Sequence, residues 1–158
     1  SDVYKRQIKK SGDFTNFLLE RLHTGDIFEV EGPWGEFIPI FSKEPQLWCA
    51  AGIGIAPFNA WLKAAAKNKH GSITLFWTVK DQRTAPFVEA VRKEAEEADV
   101  PLMLIDKSQA RLTVKQIMQG KPEFVAFCGL ALLQKQLRNE NYSKNLIIKH
   151  EVFNWRDI

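Results

Sequence analysis

Apolar and polar positions change rhythm along the chain, and the change divides it into two segments. From Val3 to Lys10 they alternate, which predicts a strand. Ser11-Gly12-Asp13 then opens a short helix with Phe14, Phe17, Leu18 and Leu22 on one face, closed by His23-Thr24-Gly25-Asp26. Ile27, Phe28 and Val30 predict a second strand that ends in the turn Gly32-Pro33-Trp34-Gly35, and Pro39 to Pro45 reads as a connector.

After Pro45 short continuous apolar runs alternate with helical periodicity. Leu47 to Ala51, Ile73 to Val79, Leu102 to Ile105, Phe124 to Cys128 and Leu146 to Lys149 predict strands, the first covered on both faces. Between them, helices are predicted at Ile55 to Lys67, Ala85 to Ala98, Thr113 to Met118 and Ala131 to Leu137. Phe87, Val88, Val91 and Ala95 form the inner face of the second, and Thr113 caps the third. Strand alternating with helix implies right-handed crossovers. The expected fold is therefore α/β, an open parallel five-stranded sheet with helices on both faces.

Composition narrows the function classes. A chain of 158 residues, 45 % apolar and 26 % charged, suits one globular domain, or one domain and part of another. No window approaches the roughly 18 unbroken apolar residues of a membrane-spanning helix. Ser1 to Lys10 has no signal-peptide pattern. The net charge of +3 is mild and its bases are scattered, which argues against nucleic acid as a partner. Cys49 and Cys128, each in an apolar run, read as buried thiols of a reducing, cytoplasmic compartment. Two cysteines are too few for a plant-type iron–sulfur cluster, and His23, His70 and His150 lack metal-ligand spacing, so no metal site is expected.

Five segments are candidates for chemistry. Gly52-Ile53-Gly54-Ile55-Ala56-Pro57 follows the first sheet strand and opens its first helix. Glycines there let the backbone approach a pyrophosphate, and the helix start supplies N–H groups and partial positive charge. Pro57 suits a first helical turn and stands where the dinucleotide fingerprint has its third glycine. Cys128-Gly129 ends the fourth sheet strand, where a thiol either touches a nicotinamide ring or is a small buried hydrophobe before a turn. The ending Lys149 to Arg156 carries two aromatics that either fill a core or lie beside a flat cofactor. Gly12-Asp13-Phe14-Thr15-Asn16 is either a phosphate-holding helix start or an ordinary cap. The second sheet strand ends at Thr78-Val79, followed by Lys80-Asp81-Gln82-Arg83. Lys80 and Arg83 can reach the 2′-phosphate of NADPH and Asp81 the ribose hydroxyls of NADH, and two bases against one acid favour NADPH. No paired carboxylates or activated nucleophile stand out, as suits hydride transfer, which depends on placing two rings.

Taken in order, these segments resemble the ferredoxin–NADP reductase superfamily over nearly the whole chain. Gly12 to Leu18 is similar to its Gly-x-x-Ser/Thr-x-x-Leu segment at the flavin diphosphate, and Gly32-Pro33-Trp34-Gly35-Glu36-Phe37 to its Gly-Pro-Tyr/Phe-Gly-x-Phe turn. Gly52 to Pro57 resembles Gly-x-Gly-Ile-Thr/Ala-Pro, and Cys128-Gly129 resembles Cys-Gly-Pro beside the nicotinamide. Glu151-Val152-Phe153-Asn154-Trp155-Arg156 is similar to the Glu-x-Phe-x-x-Arg ending of bacterial ferric-reductase-like members and NADPH oxidases. The chain departs from the family at Ala51, at Leu130 and Leu133, and in having no Arg-x-Tyr/Phe-Ser/Thr flavin motif.

The resemblance implies that residues 1–40 are the end of an antiparallel FAD-binding barrel and residues 45–158 an NAD(P)-binding domain. It implies a flavin-dependent oxidoreductase that passes a hydride from NADPH or NADH to FAD, and electrons onward to haem, ferric iron or another acceptor. Cys128, Glu151 and Phe153 become the catalytic candidates. Gly12, Thr15 and Asn16 are expected at FAD. Gly52, Ile53, Gly54, Ile55, Ala56, Pro57, Thr78, Lys80, Arg83, Cys128 and Gly129 are expected at the nucleotide. The chain would be a fragment of a parent with the rest of the barrel, and in ferric-reductase-like members a haem-bearing membrane domain. Alternatives are the reductase component of a soluble oxygenase and a nucleotide-docking module without turnover.

Overall fold

The computed structural model describes residues 8, 10, 12–29, 31, 35–83, 85, 87–139 and 146–151. Its contacts divide into two compact units, with the boundary between Gly35 and Glu36.

Among its described residues the first unit has one helix, α1 (Asp13–Arg21). Its start is closed on itself: Gly12 N–H donates to Thr15 Oγ1 at 3.1 Å, and the Thr15 hydroxyl donates to Gly12 O at 3.0 Å. The predicted apolar face buries no residue, although the Arg21 guanidinium lies 4.8 Å from the centre of the Phe17 ring. The strand expected at Ile27 to Val30 is not formed over its described residues. Ile27 is 97 % exposed and Phe28 56 %. A strand is held by its ladder, and residues 27–29 have no partner strand among the described residues. The strand expected from Val3 to Lys10 and the turn at Gly32 to Trp34 lie almost wholly outside the described residues.

The second unit is the predicted α/β sheet. Its strands are β1 (Gln46–Ala51), β2 (Ile73–Val79), β3 (Leu102–Asp106), β4 (Phe124–Cys128) and β5 (Ile147–Glu151), all parallel, in the order β3-β2-β1-β4-β5. β1 and β4 are central and almost wholly buried, which is why they read as continuous apolar runs. Side chains alternate across the sheet and feed two cores. On one face Trp48, Leu75 and Trp77 meet Phe58, Trp61 and Leu62 of α2 (Ala56–Ala65) and Val91 and Ala95 of α3 (Val88–Glu97). On the other, Leu47, Cys49, Val125 and Phe127 meet Val114 and Ile117 of α4 (Val114–Gln119) and Leu133 and Leu137 of α5 (Ala131–Asn139).

Local chemistry sets the helix ends. Thr113 caps α4 as predicted: its Oγ1 accepts from Gln116 N–H at 3.3 Å, and Gln116 Oε1 accepts from Thr113 N–H at 2.9 Å. The helix expected from Ala85 starts only at Val88. Phe87 is left-handed (φ 67°) and 51 % exposed, so it does not join the inner face. Pro86 disfavours helical backbone at Ala85, which leaves no helical turn for Phe87 to continue. The helix expected from Ile55 is preceded by a tighter 3₁₀ turn, Gly52–Ile55, that runs into α2.

Candidate functional site

From β1 the chain crosses one face to β2 and β3, then returns past β1 to β4 and β5. The C-terminal ends of β1 and β4 therefore flank the point where the winding direction reverses, which in open parallel sheets is the ligand crevice. Most of the predicted site residues lie there.

The turn leaving β1 has a front and a back. Gly52 is exposed and left-handed (φ 52°), and a Cβ there would meet nothing within 4 Å. Ile53 is 58 % exposed and Ala56 is exposed as well. Pro57 occupies the first turn of α2, where its missing N–H leaves no helical bond unmade. At the back, Gly54 and Ile55 are buried. A Cβ on Gly54 would lie 2.4 Å from Cys128 O and 3.3 Å from Cys128 Sγ, so the turn is pressed onto the end of β4. Gly129 answers from the other side: it is left-handed (φ 84°), and its Cβ would come 3.3 Å from Ala51 O. Gly54 thus packs the turn, while Gly52 leaves open the space a ligand backbone contact needs.

β2 ties the turn down. Trp77 Nε1–H donates to Gly52 O at 3.0 Å, and the Thr78 hydroxyl donates to Ala50 O at 3.3 Å. Thr78 is only 2 % exposed, so its hydroxyl supports β1 from within the sheet. Reading along the chain did not single out Trp77, because the carbonyl it holds lies 25 residues away.

Cys128 has no exposed surface, and burial, followed by the nearby Glu151 carboxylate, pushes its thiol up to about 11. It is a neutral thiol at ordinary pH, a soft apolar group with no nucleophilic anion. Glu151 is its register partner on β5 and is half-buried. Cys49 is also a free, buried thiol, pushed up by burial on the opposite face.

Past β2, Lys80 is exposed and Arg83 is engaged. Its Nε and one terminal nitrogen donate to the two carboxylate oxygens of Asp81 at 3.2 and 3.1 Å, and its backbone N–H donates to Asp81 Oδ1 at 2.9 Å. The fork holds the Asp81 carboxyl below its ordinary range and raises the guanidinium. Asp106, at the end of β3, is a second anchor that the sequence reading passed over. It accepts from Ser108 Oγ at 2.6 Å, Ser108 N–H at 2.8 Å and Gln82 N–H at 3.0 Å, with Ser108 contributing most to its lowered carboxyl range. An Asp followed two residues later by Ser at a strand end is the signal that could have found it.

The structure does not gather every predicted residue. Gly12, Thr15 and Asn16 belong to the first unit and are described apart from this crevice. Phe153 and the rest of the ending from Val152 lie outside the described residues. A groove of about 330 Å³ between Arg92, Glu96, Asp99, Val100 and Leu102 lies at the N-terminal end of the strands, opposite the β1–β4 crevice. Among the described residues no group of His, Cys, Asp and Glu could hold a metal ion, and no helix is long and apolar enough to cross a membrane.

No family model matches the chain. It is similar to the ferredoxin reductase component of 3-ketosteroid-9-alpha-monooxygenase from Mycobacterium tuberculosis, 30 % identical over 134 residues, covering 82 % of this chain and 35 % of that protein. Among solved structures it is similar to flavohemoglobin from Malassezia yamatoensis, solved with bound FAD and heme: the TM-score is 0.77 at 17 % identity, over 94 % of this chain and 43 % of that one. The FAD/NAD-binding domain of nitric oxide dioxygenase from Vibrio cholerae matches with a TM-score of 0.67 at 21 % identity, over 90 % of this chain and 65 % of that one. The chain spans about a third of the length of the first curated relatives it matches.

Proposed function

The chain is a relative of the flavoprotein reductase domains of the ferredoxin–NADP reductase type and has the fold of their nucleotide-binding domain; from that premise we propose that its β1–β4 crevice holds NAD(P)H for hydride transfer to a flavin. The observation that carries the reading is the division of labour between two glycines. Gly54 seats the turn on the end of β4, and Gly52 leaves open space at the start of a helix with no carboxylate in the turn itself. Such a place fits a pyrophosphate, through backbone N–H groups and the positive end of α2.

In this reading Gly52, Ile53, Ala56 and Pro57 face the pyrophosphate. Gly54, Ile55 and Thr78 hold the turn in shape from behind. Gly129 forms the floor beneath the nicotinamide with the buried Cys128 thiol packed behind it, and Glu151 and Phe153 are proposed to border it. A neutral thiol suits that floor, since it neither competes for the hydride nor brings an anion against the ring. Lys80 and Arg83 read the 2′-phosphate, which makes NADPH the preferred donor.

FAD, when bound, takes up the hydride as an electron pair and releases electrons singly. Gly12, Thr15 and Asn16 are its proposed contacts, with residues 1–40 as part of the barrel and residues 45–158 as the nucleotide domain. The relatives' names include a haem protein and a monooxygenase's reductase component. The proposed destination is haem, ferric iron or another one-electron acceptor; a parent of the ferric-reductase-like kind would add a haem-bearing membrane domain with this chain on its cytoplasmic side.

The test is anaerobic mixing of the FAD-loaded parent protein with NADPH deuterated at the transferred position. The reading expects flavin bleaching with a primary isotope effect, lost in Gly52→Val. Flavin that stays oxidised under excess NADPH and NADH contradicts it.

A further inference from the structure

We infer that Trp77 is a positioning residue, fixing the Gly52–Ile53 peptide so that its N–H faces the phosphate; the inference rests on the nucleotide reading above. Gly52 is exposed and left-handed, with nothing around its Cβ position, so little packing restrains the peptide that follows it. From outside the 3₁₀ turn, Trp77 Nε1–H reaches Gly52 O at 3.0 Å.

Carbonyl and amide of one trans peptide point in opposite directions. Holding Gly52 O against the indole therefore turns the Ile53 N–H away from β2. Without the indole N–H, the carbonyl keeps only the poorer hydrogen-bond geometry of the 3₁₀ turn, so the peptide can tilt and carry the amide with it. Trp77 itself is rigidly placed: it is 2 % exposed, lies in the core beneath α2, and is the register partner of Ala50. The Thr78 hydroxyl on Ala50 O pins the strand just before the turn, so the freedom left to the loop is concentrated in the peptide that Trp77 holds.

Trp77 thus acts through Gly52 on a donor that a pyrophosphate oxygen accepts from. Trp77→Phe keeps an aromatic ring in the core and removes the donor, with some loss of ring volume. The probe is ADP-ribose, which carries the pyrophosphate without the nicotinamide ring. Calorimetry is expected to show about five- to tenfold weaker ADP-ribose binding by Trp77→Phe than by wild type, the scale of one lost hydrogen bond. By NMR, the wild-type Ile53 amide is expected to move downfield on saturation, and to move less in the variant.

Equal ADP-ribose affinity in the two folded proteins overturns the inference, as does an Ile53 amide that stays in place when the wild type is saturated. If Trp77→Phe does not fold, the wild-type Ile53 shift decides alone. A wild type that binds neither ADP-ribose nor NADPH shows instead that the nucleotide reading has failed, and Trp77 with it.

Discussion

A Cβ on Gly54 would stand 2.4 Å from the carbonyl oxygen of Cys128, so the turn after β1 and the end of β4 touch backbone to backbone. Neither partner is the flexible end of a side chain, and relief requires the turn or the strand to shift. Gly54→Ala is expected to cost about 2–3 kcal/mol, the upper part of the overpacking range. Gly52→Ala has open space for its methyl and bears only the left-handed strain, about 1 kcal/mol. Urea unfolding of the two variants checks the order; equal losses would mean that the close approach carries no stability.

The Cys128 thiol provides a pH signature. Its folded value of about 11 lies above the ordinary 9.0, so its contribution to stability is complete below 9.0 and is lost as pH rises through 11. Cys49, also raised by burial, adds to the same alkaline loss. Cys128→Ala is expected to flatten the fall in stability between pH 9 and 11 without abolishing it. Glu151→Gln removes a negative charge that raises the thiol, so the midpoint of the alkaline fall in stability is expected to move down. A midpoint that stays fixed shows that the carboxylate and thiol do not interact.

On the proposed function, nucleotide choice would turn on the Asp81–Arg83 fork. Arg83 would meet a 2′-phosphate while already held by Asp81, so its contribution is expected to be smaller than that of an unencumbered arginine. Lys80→Ala and Arg83→Ala are each expected to narrow the preference for NADPH over NADH, by roughly five- to tenfold at fixed salt. Asp81→Asn is expected to widen it, because it removes an anion and releases the guanidinium. Equal affinity of the wild type for the two nucleotides removes the NADPH assignment.

The sheet was legible because its strands carry their own signal. β4 is an unbroken apolar run and β2 is apolar except at Thr74 and Thr78, both between polar turns, and the sequence bounds both correctly. Elements that depend on a neighbour were less legible. Ile27 to Glu29 has strand-like residues without a strand to pair with, and Phe87 looks like an inner-face residue until its left-handed backbone is seen. The site divided in the same way. Gly52 and Gly54 could be placed at one turn, but their separate duties emerge only when the end of β4 lies beneath Gly54. Trp77 acts across a long stretch of sequence and leaves no local pattern, whereas Asp106 shows only the short Asp-Lys-Ser spacing at the end of β3.

The central claim is that NAD(P)H occupies the C-terminal ends of β1, β2 and β4. Hydrogen–deuterium exchange of the chain with and without saturating NADPH tests it most directly. The account predicts slowed exchange in the segments around Gly52–Ile55, around Lys80 and around Gly129, with little change at the N-terminal strand ends. No slowed exchange, or protection confined to the groove between Arg92 and Leu102 at the opposite end of the sheet, contradicts it.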